Sequence, residues 1–209
     1  MTTLLVRSIV IFFFVFGAHS LAARADERAT GASDVPAVPN NLQVPAGHSL
    51  FFAGHAIGTQ NFICLSTKNK QDAEWRFTGP QATLFIADGN GVAQQATTHF
   101  LSSNPGESGL PRPTWQDSAD TSAVWGRVVA SSADAAYVAP GAIPWLLLQA
   151  AGAQLGPSGG AAMAQTTFIQ RLNTTGGLAP ATGCSGADDL GRVALVPYTA
   201  DYFFYRAEQ

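Results

Sequence analysis

Short apolar runs alternate with turn-forming residues along most of the chain, at a spacing typical of β-strands rather than of helices. From about residue 42 onward, these runs are rich in Val, Ile, Phe and Tyr and are bounded by Gly, Pro, Asn and Asp. The pattern predicts strands at Ser49–Ala53, Gln60–Leu65, Ala73–Phe77, Ala82–Ala87, Ala123–Ala130, Thr166–Leu172, Arg192–Val196 and Asp201–Arg206.

Two local signals refine this pattern. The sequence DGNG (88–91) follows the apolar run ATLFIA, and its residues tolerate the positive φ angles of a tight hairpin turn. A returning strand is therefore predicted over Val92–Phe100. Near the C-terminus, YFFY (202–205) places aromatic rings on both faces of a strand, which is typical of a strand covered on both sides.

Two segments do not fit the strand pattern. Ile143–Ala153 is the best helix candidate, since Pro144 is tolerated in a first helical turn, although IPWLLL (143–148) is also consistent with a buried strand. Leu101–Asp120 is rich in Ser, Pro and Gly and is predicted to be a long loop. We therefore expect an all-β protein, a single-domain β-sandwich or barrel-like fold with at most one or two short helices.

The N-terminus has the pattern of a secretion signal. Arg7 precedes the apolar stretch Ile9–Phe16, and small residues at 23 and 25 favour cleavage after Ala25. The apolar stretch is well short of the roughly 20 residues needed to cross a bilayer. We therefore divide the chain into a signal peptide (1–25), a polar, proline-containing flexible leader (26–41) and a single β-rich domain (42–209). The expected location is secreted or periplasmic, with no integral membrane segment in the mature chain.

Charge excludes one class of partner. The whole chain carries a net charge of −3, and removal of residues 1–25 takes away Arg7 and Arg24 but no acidic residue, which leaves −5. The remaining Lys and Arg residues are scattered, so no basic stripe is available for nucleic acid.

Cys64 and Cys184 are the two cysteines of the chain. In an exported protein two such thiols are expected to form a disulfide. This bridge would join the first quarter of the domain to its last and would leave no thiol nucleophile.

Several motifs resemble catalytic or cofactor sites without completing them. GPSGG (156–160) matches a nucleophile elbow around Ser158, but no histidine follows it and the flanking chain lacks α/β alternation, so we interpret it as a glycine-rich loop. The GNG after ATLFIA has Gln94 in place of a third glycine. The histidine spacing matches no metal-site pattern. We expect neither a cofactor nor a metal.

Four residues are candidates for ligand binding: His55, His99, Trp115 and Arg171. Either histidine is alternatively a residue that hydrogen-bonds loop backbone. Trp115 lies in the polar, proline-rich PRPTWQ and is expected to be more exposed than the other tryptophans. Arg171 either binds an anionic ligand or, together with Gln170, satisfies backbone carbonyls. Asn173 begins a formal glycosylation sequon, which matters only in a eukaryotic source.

Several segments together resemble a known family. They are GTQNFIC, THF, PTWQ, VWG, AIPWLLL, IQRLNTTGGLAP and VPYTADYFFY, and the resemblance runs from about Val44 to Tyr205. The family is an uncharacterised secreted one of bacteria and fungi, catalogued as a domain of unknown function. Some fungal members carry a malate dehydrogenase label, but the missing nucleotide fingerprint argues against that chemistry. The resemblance implies export and one shared domain, and it supplies no catalytic residues.

Two functional hypotheses follow. The first is an exported, non-enzymatic protein that binds an unknown small molecule, sugar or envelope or matrix component. The second is a secreted hydrolase that uses His55 or His99 with a carboxylate such as Asp117, Asp120 or Asp201. A histidine near a carboxylate and a hydroxyl in a concave pocket would favour the hydrolase.

Overall fold

The structure is a computed structural model that describes residues 35–68, 72–87 and 90–208. The predicted signal peptide (1–25) and residues 26–34 of the predicted leader lie outside the described residues. The DGNG turn lies partly outside them.

Eight antiparallel strands form a closed barrel in which each strand pairs with the next along the chain and β8 pairs back with β1. This arrangement confirms the all-β, barrel-like prediction. Three single-turn 3-10 helices accompany the strands, and none of the helices in the described ranges has the length and apolar character needed to cross a bilayer. The strands are β1 (His48–Ser66), β2 (Ala73–Ala87), β3 (Ala93–Asn104), β4 (Leu110–Asp117), β5 (Ala123–Ser132), β6 (Trp145–Gln154), β7 (Phe168–Gly176) and β8 (Val193–Ala207).

Some predicted short strands are parts of longer ones. Ser49–Ala53 and Gln60–Leu65 both belong to β1, which is 19 residues long and pairs with β2 and β8. The predicted hairpin is confirmed by the pairing of Ala87 with Ala93. Register shifts, such as the one between Asn61 and Phe62 in β1, are bulges that help a sheet to curve and close.

The helix predicted over Ile143–Ala153 is wrong, because most of this segment forms β6, as its alternative interpretation allowed. Its consecutive leucines face opposite sides of the sheet. Leu148 packs inside the barrel and Leu147 packs in a second cluster outside it. A strand with both faces covered has no polar alternation to distinguish it from a helix.

The long loop predicted over Leu101–Asp120 is also wrong. Leu101–Asn104 completes β3, a 3-10 turn spans Pro105–Glu107, and the rest includes β4. Pro111 and Pro113 are tolerated because β4 pairs with β3 along its whole length but with β5 only through Thr114–Gln116. A proline lacks an N–H, so it fits a strand where one edge is unpaired. We call the unpaired stretch between β4 and β5 the seam.

The interior and exterior of the barrel each hold an apolar cluster. Alternate residues point inward, so that Tyr202 and Phe204 lie in the interior, while Phe203 and Tyr205 lie in the outer cluster. This confirms that YFFY is covered on both faces. In the outer cluster, β6, β7 and β8 are covered by the 133–144 connection and by residues 35–44, within which Leu42 is completely buried.

The described part of the predicted leader, residues 35–41, therefore lies against the barrel. Val35 and Val38 pack on the outer cluster, and Asn41 Nδ2 donates to the carbonyl of Ser131 (3.0 Å). Gln170 Nε2 donates to the carbonyl of Leu42 (2.7 Å). This last bond confirms that Gln170 satisfies a backbone carbonyl.

The two ends of the barrel differ. At one end the connection 155–167 inserts Met163, which is 2% exposed, beneath Val124 and Ile169. We call this the closed end. At the opposite end lie the connections 105–109, 133–144 and 177–192, and we call it the mouth.

Candidate functional site

A cavity of about 320 Å³ occupies the half of the barrel nearer the mouth. Eight-stranded barrels are wide enough either to be filled by side chains or to hold one small ligand. In this barrel, side chains fill the half nearer the closed end, and the cavity occupies the half nearer the mouth. The lining residues come from every strand of the barrel and from the segment before β6: Gln60, Phe62, Phe77, Pro80, His99, Pro113, Trp115, Val128, Ile143, Pro144, Leu146, Leu148, Arg171, Gly177 and Tyr202.

Three rings in contact, His99, Trp115 and Tyr202, separate the cavity from the filled half. The His99 and Trp115 rings, paired across β3 and β4, are stacked with centroids 4.3 Å apart. Tyr202 from β8 meets both, at 5.2 Å from His99 and 5.4 Å from Trp115. Below them Trp115 contacts Phe204 edge-on at 5.9 Å. These aromatic contacts give the cavity a rigid floor.

His99 is a neutral hydrogen-bond donor rather than a charged group. Its Nδ1 lies 2.9 Å from the carbonyl of Thr114, so Nδ1 carries the proton and donates. Burial lowers the pKa of His99 to about 3, and the nearby charge of Arg171 acts in the same direction, against the hydrogen bond to Thr114. The ring is therefore uncharged at neutral pH.

Arg171 supplies the positive charge of the cavity. It lies on β7 between Leu146 of β6 and Tyr202 of β8, and its Nη2 donates to the carbonyl of Pro144 (2.8 Å). This bond confirms that Arg171 satisfies a backbone carbonyl. No acidic side chain lines the cavity, and no ion pair within the described ranges includes Arg171.

Tyr198 and Tyr202 stand close to this charge. Their hydroxyl oxygens are 3.4 Å apart, and burial raises the pKa of both, while the guanidinium of Arg171 opposes the rise. Both phenols are therefore protonated at neutral pH.

Three buried donors of the cavity residues have no hydrogen-bond partner. They are Gln60 Nε2, Trp115 Nε1 and Arg171 Nε. Gln60 is 4% exposed and Trp115 is 1% exposed, so water reaches neither side chain freely. An unmade buried hydrogen bond costs roughly 1–3 kcal/mol. Three such donors belong to residues that line this one cavity.

The remaining wall is apolar and reaches solvent at the rim. Leu146, Leu148 and Pro113 line the cavity beside the rings Phe62 and Phe77, whose centroids are 5.5 Å apart. Phe77 is 52% exposed and Val128 is 47% exposed, which places the opening of the cavity at these side chains. Pro113 and Val128 lie on the two strands that flank the seam.

The connection between β7 and β8 is held against the rim. The predicted disulfide between Cys64 and Cys184 is confirmed, with Cα atoms 5.5 Å apart. The backbones of Cys64 and residues 191–192 exchange two hydrogen bonds, and Trp75 Nε1 donates to the carbonyl of Thr182 (3.0 Å). The 177–192 connection therefore stays next to β1.

Gly177 begins this connection and must be a glycine. Its φ is +82°, a conformation that other residues rarely adopt. A Cβ at this position would lie about 3.0 Å from Gln60, Ile143 and Tyr198. This close approach brings the backbone of Gly177 to the wall of the cavity.

The structure separates His55 from the other candidates. His55 is on the outer face of β1, between the inward-facing Gly54 and Ala56. Its Nδ1 lies 2.7 Å from Asp201 Oδ1, and Asn173 Nδ2 donates to the other oxygen of Asp201 (2.8 Å). His55 is not among the residues that line the cavity. His55 therefore bonds to a carboxylate rather than to loop backbone, and His99 does bond to a backbone carbonyl, but one that belongs to strand β4 rather than to a loop.

The expected exposure of Trp115 is also wrong. Its ring is 1% exposed because β4 continues through the predicted loop and turns this position inward. It nevertheless lines the cavity, together with His99 and Arg171. That these three residues bind a ligand stays a prediction.

Two of the carboxylates suggested for a hydrolase hold turns at the closed end. Asp117 Oδ1 accepts from the backbone N–H groups of residues 119 and 120. Asp120 Oδ1 accepts from the backbone and the hydroxyl of Ser122, and its Oδ2 accepts from the N–H of Ala162. Gly156 and Gly160 of the GPSGG motif pack so closely on Asp120 that a Cβ at either position would overlap it. The motif is thus a packing feature of this turn.

No group of three or more His, Cys, Asp or Glu side chains suited to a metal ion occurs in the part of the chain that the structure describes.

Sequence reasoning missed Gln60 and Tyr202. Both occur in segments singled out for other reasons, and 142 positions separate them along the chain. The signal that would have found Gln60 is a polar residue at an inward position of an otherwise apolar strand, flanked by Ala56 and Phe62 on the same face.

The fold and the site define a closed antiparallel barrel with an internal cavity of about 320 Å³. The chain belongs to DUF3455, a family described as proteins of unknown function, whose model matches residues 45–206. No curated protein and no solved structure matches the chain.

Proposed function

We propose that this protein is an exported binding protein that holds one small, largely apolar molecule inside the barrel and performs no chemistry on it. The observation that carries the proposal is the cavity of about 320 Å³ above the aromatic floor. Protein interiors are normally close-packed. A cavity in one half of the barrel interior, next to a packed half, is explained if a ligand occupies it.

The properties of the cavity match those of ligand sites. Its volume lies at the small end of the roughly 300–1,000 Å³ found for such sites. Most of its lining is apolar, and the few polar side chains are Gln60, His99, Trp115, Arg171 and Tyr202. A small number of polar groups in an otherwise apolar cavity can orient an amphipathic molecule.

Two observations support export. The disulfide between Cys64 and Cys184 is of a kind that persists in oxidising compartments. The sequence of residues 1–25 has the pattern of a signal peptide. We therefore place the protein outside the cytoplasm, in the periplasm or the medium.

The hydrolase hypothesis has less support. His99 lies in the cavity, but it is held by a backbone carbonyl and no carboxylate lines the cavity with it. His55 does pair with Asp201, but on the outer face of the barrel, with its side chain 51% exposed. Neither histidine combines with a carboxylate and a hydroxyl in a concave site.

A fluorescent probe tests the proposal. The uncharged dye 1-aminoanthracene should bind the purified protein with an increase in emission and should raise its melting temperature. Leu146→Trp fills the cavity and should abolish binding. Leu195→Trp adds the same side chain at a position that is 59% exposed on the outside and should leave binding unchanged. Equal binding by both variants, or none by the wild type, would contradict the proposal.

A further inference from the structure

We propose that the ligand is a small organic carboxylate, and that Arg171, Gln60 and Trp115 bind its carboxylate group. This inference rests on the proposed function and specifies the ligand class of the same cavity. It starts from the observation that the polar groups left without partners in the cavity are all donors.

The donors define what the ligand must offer. Gln60 Nε2, Trp115 Nε1 and Arg171 Nε make no hydrogen bond of ordinary geometry to the described residues. The hydroxyl groups of Tyr198 and Tyr202 are the nearest acceptors, to Gln60 and Arg171 respectively, and Trp115 Nε1 has no such neighbour. An ionised carboxylate is an acceptor with two oxygens and about four lone-pair sites. It can therefore satisfy several of these donors at once.

The charge of the cavity points the same way. Arg171 is the one lining side chain that is charged at neutral pH, because His99 is neutral and both tyrosines are protonated. A guanidinium without an acidic partner favours an anion, and its planar fork matches a carboxylate. One positive charge suits a monoanion. An amine would meet a like charge and no acceptor among the orphaned groups.

The apolar part of the lining determines the body of the ligand. Leu146, Leu148, Val128 and Pro113 offer apolar surface, and Phe62 and Phe77 extend it to the rim. An unbranched or aromatic hydrocarbon body fits this surface, with the carboxylate next to the guanidinium of Arg171. A medium-chain fatty acid has this form.

The test compares three ligands with the same ten-carbon chain. Decanoate, 1-decanol and decylamine are titrated against the protein loaded with 1-aminoanthracene at pH 8. Hydrogen bonds to charged groups make a difference of roughly ten- to a hundredfold in affinity. Decanoate should therefore displace the dye at concentrations at least about tenfold lower than 1-decanol, and decylamine should be the weakest of the three.

Variants assign the effect to the named residues. Arg171→Met should weaken decanoate to the affinity of 1-decanol while leaving 1-decanol unchanged. Arg171→Lys keeps the charge but loses the fork, so its decanoate affinity should lie between those of the wild type and Arg171→Met. Arg127→Met is the matched control, because Arg127 is exposed on the outside and bonds to Gln149.

The outcomes separate the two proposals. If 1-decanol binds as tightly as decanoate, or if Arg171→Met keeps the preference for decanoate, the carboxylate inference is wrong and the cavity still binds ligands. If neither the dye nor any ligand binds, the proposed function itself is wrong. Should Arg171→Met fail to fold, Gln60→Glu replaces it. The added carboxylate should pair with Arg171 and repel decanoate without repelling 1-decanol.

Discussion

The two halves of the barrel interior are built by the same strands but serve different purposes. In the half towards the closed end, Phe52, Phe204 and Ile169 are packed with Met163 beneath them. In the half towards the mouth, Arg171 and Gln60 face a cavity. The strands need only one well-packed half to be held together. The difference indicates that stability comes mainly from the closed end and that the mouth is available for binding.

The largest difference between the halves should come from removal of an aromatic ring. Phe204→Ala opens a void in the packed half and should lower the free energy of unfolding by about 3 to 5 kcal/mol. Phe77→Ala removes the same ring at the exposed rim, where the loss should be about 1 kcal/mol or less. Urea denaturation measures both values. Equal losses would mean that the halves do not differ in their contribution to stability.

The disulfide tests whether the mouth depends on a covalent link instead of packing. Replacing Cys64 and Cys184 together by Ala should cost about 2 to 4 kcal/mol, because the bridge closes a loop of 120 residues. The added freedom should appear in the 177–192 connection, measured as faster amide exchange there than in β7 and β8. A double variant with wild-type stability would show that the hydrogen bonds of Cys64 hold this connection without the bridge.

The floor between the halves should make stability depend on pH. Unfolded His99 binds a proton below its ordinary pKa of 6.5, whereas the folded residue does so only near pH 3. Between these values the unfolded state holds more protons, so stability is complete above pH 6.5 and falls as the pH decreases. If the unfolded state holds one more proton than the folded state from pH 6.5 to 5, the free energy of unfolding falls by about 2 kcal/mol over this interval.

His99→Gln should flatten this dependence, as followed by urea denaturation at several pH values. The interval above pH 5 separates His99 from Glu107. Hydrogen bonds from Arg112 and Asn104 hold the pKa of the Glu107 carboxyl at about 2. The stability that ionised Glu107 contributes is therefore lost only below pH 4.5. A variant with the wild-type slope between pH 6.5 and 5 would rule out His99 as the source.

The smallest effect is expected from Arg171→Met in the absence of ligand. The change removes a charge without an acidic partner and a buried unpaired Nε–H, against the loss of the hydrogen bond to Pro144 and of the interaction with the Tyr202 hydroxyl. Replacing a poorly compensated charge by an apolar side chain is often neutral or stabilising. The free energy of unfolding should stay within about 1 kcal/mol of the wild type. A loss as large as that of Phe204→Ala would make Arg171 part of the structural core.

Much of the fold could be predicted from alternation alone, because most strands have one face in the barrel and the other in solvent. The errors have physical causes. At Leu146–Leu148 both faces are covered, so the alternation disappears and a helix is equally consistent. Pro111 and Pro113 are residues typical of a loop. They are compatible with β4 because this part of the strand has no partner at the seam, so no N–H is needed there.

The cavity could be predicted only in part. His99, Trp115 and Arg171 were candidates because their residue types carry chemistry, whereas Gln60 and Tyr202 become neighbours of these three only when β8 closes on β1. His55 shows the converse limit. As a histidine it was as good a candidate for ligand binding as His99, but its side chain is on the outer face of β1. A single sequence does not identify which face of a strand is inside.

The seam affects the tendency of this protein to aggregate through its strand edges. A gap in a barrel wall exposes two strand edges, and exposed edges are templates on which another chain can add a strand. On β4 the prolines at 111 and 113 remove two of the N–H groups that such an addition would use, and Arg112 between them adds charge. The edge of β4 beside the cavity is thus a poor template for a strand from another copy.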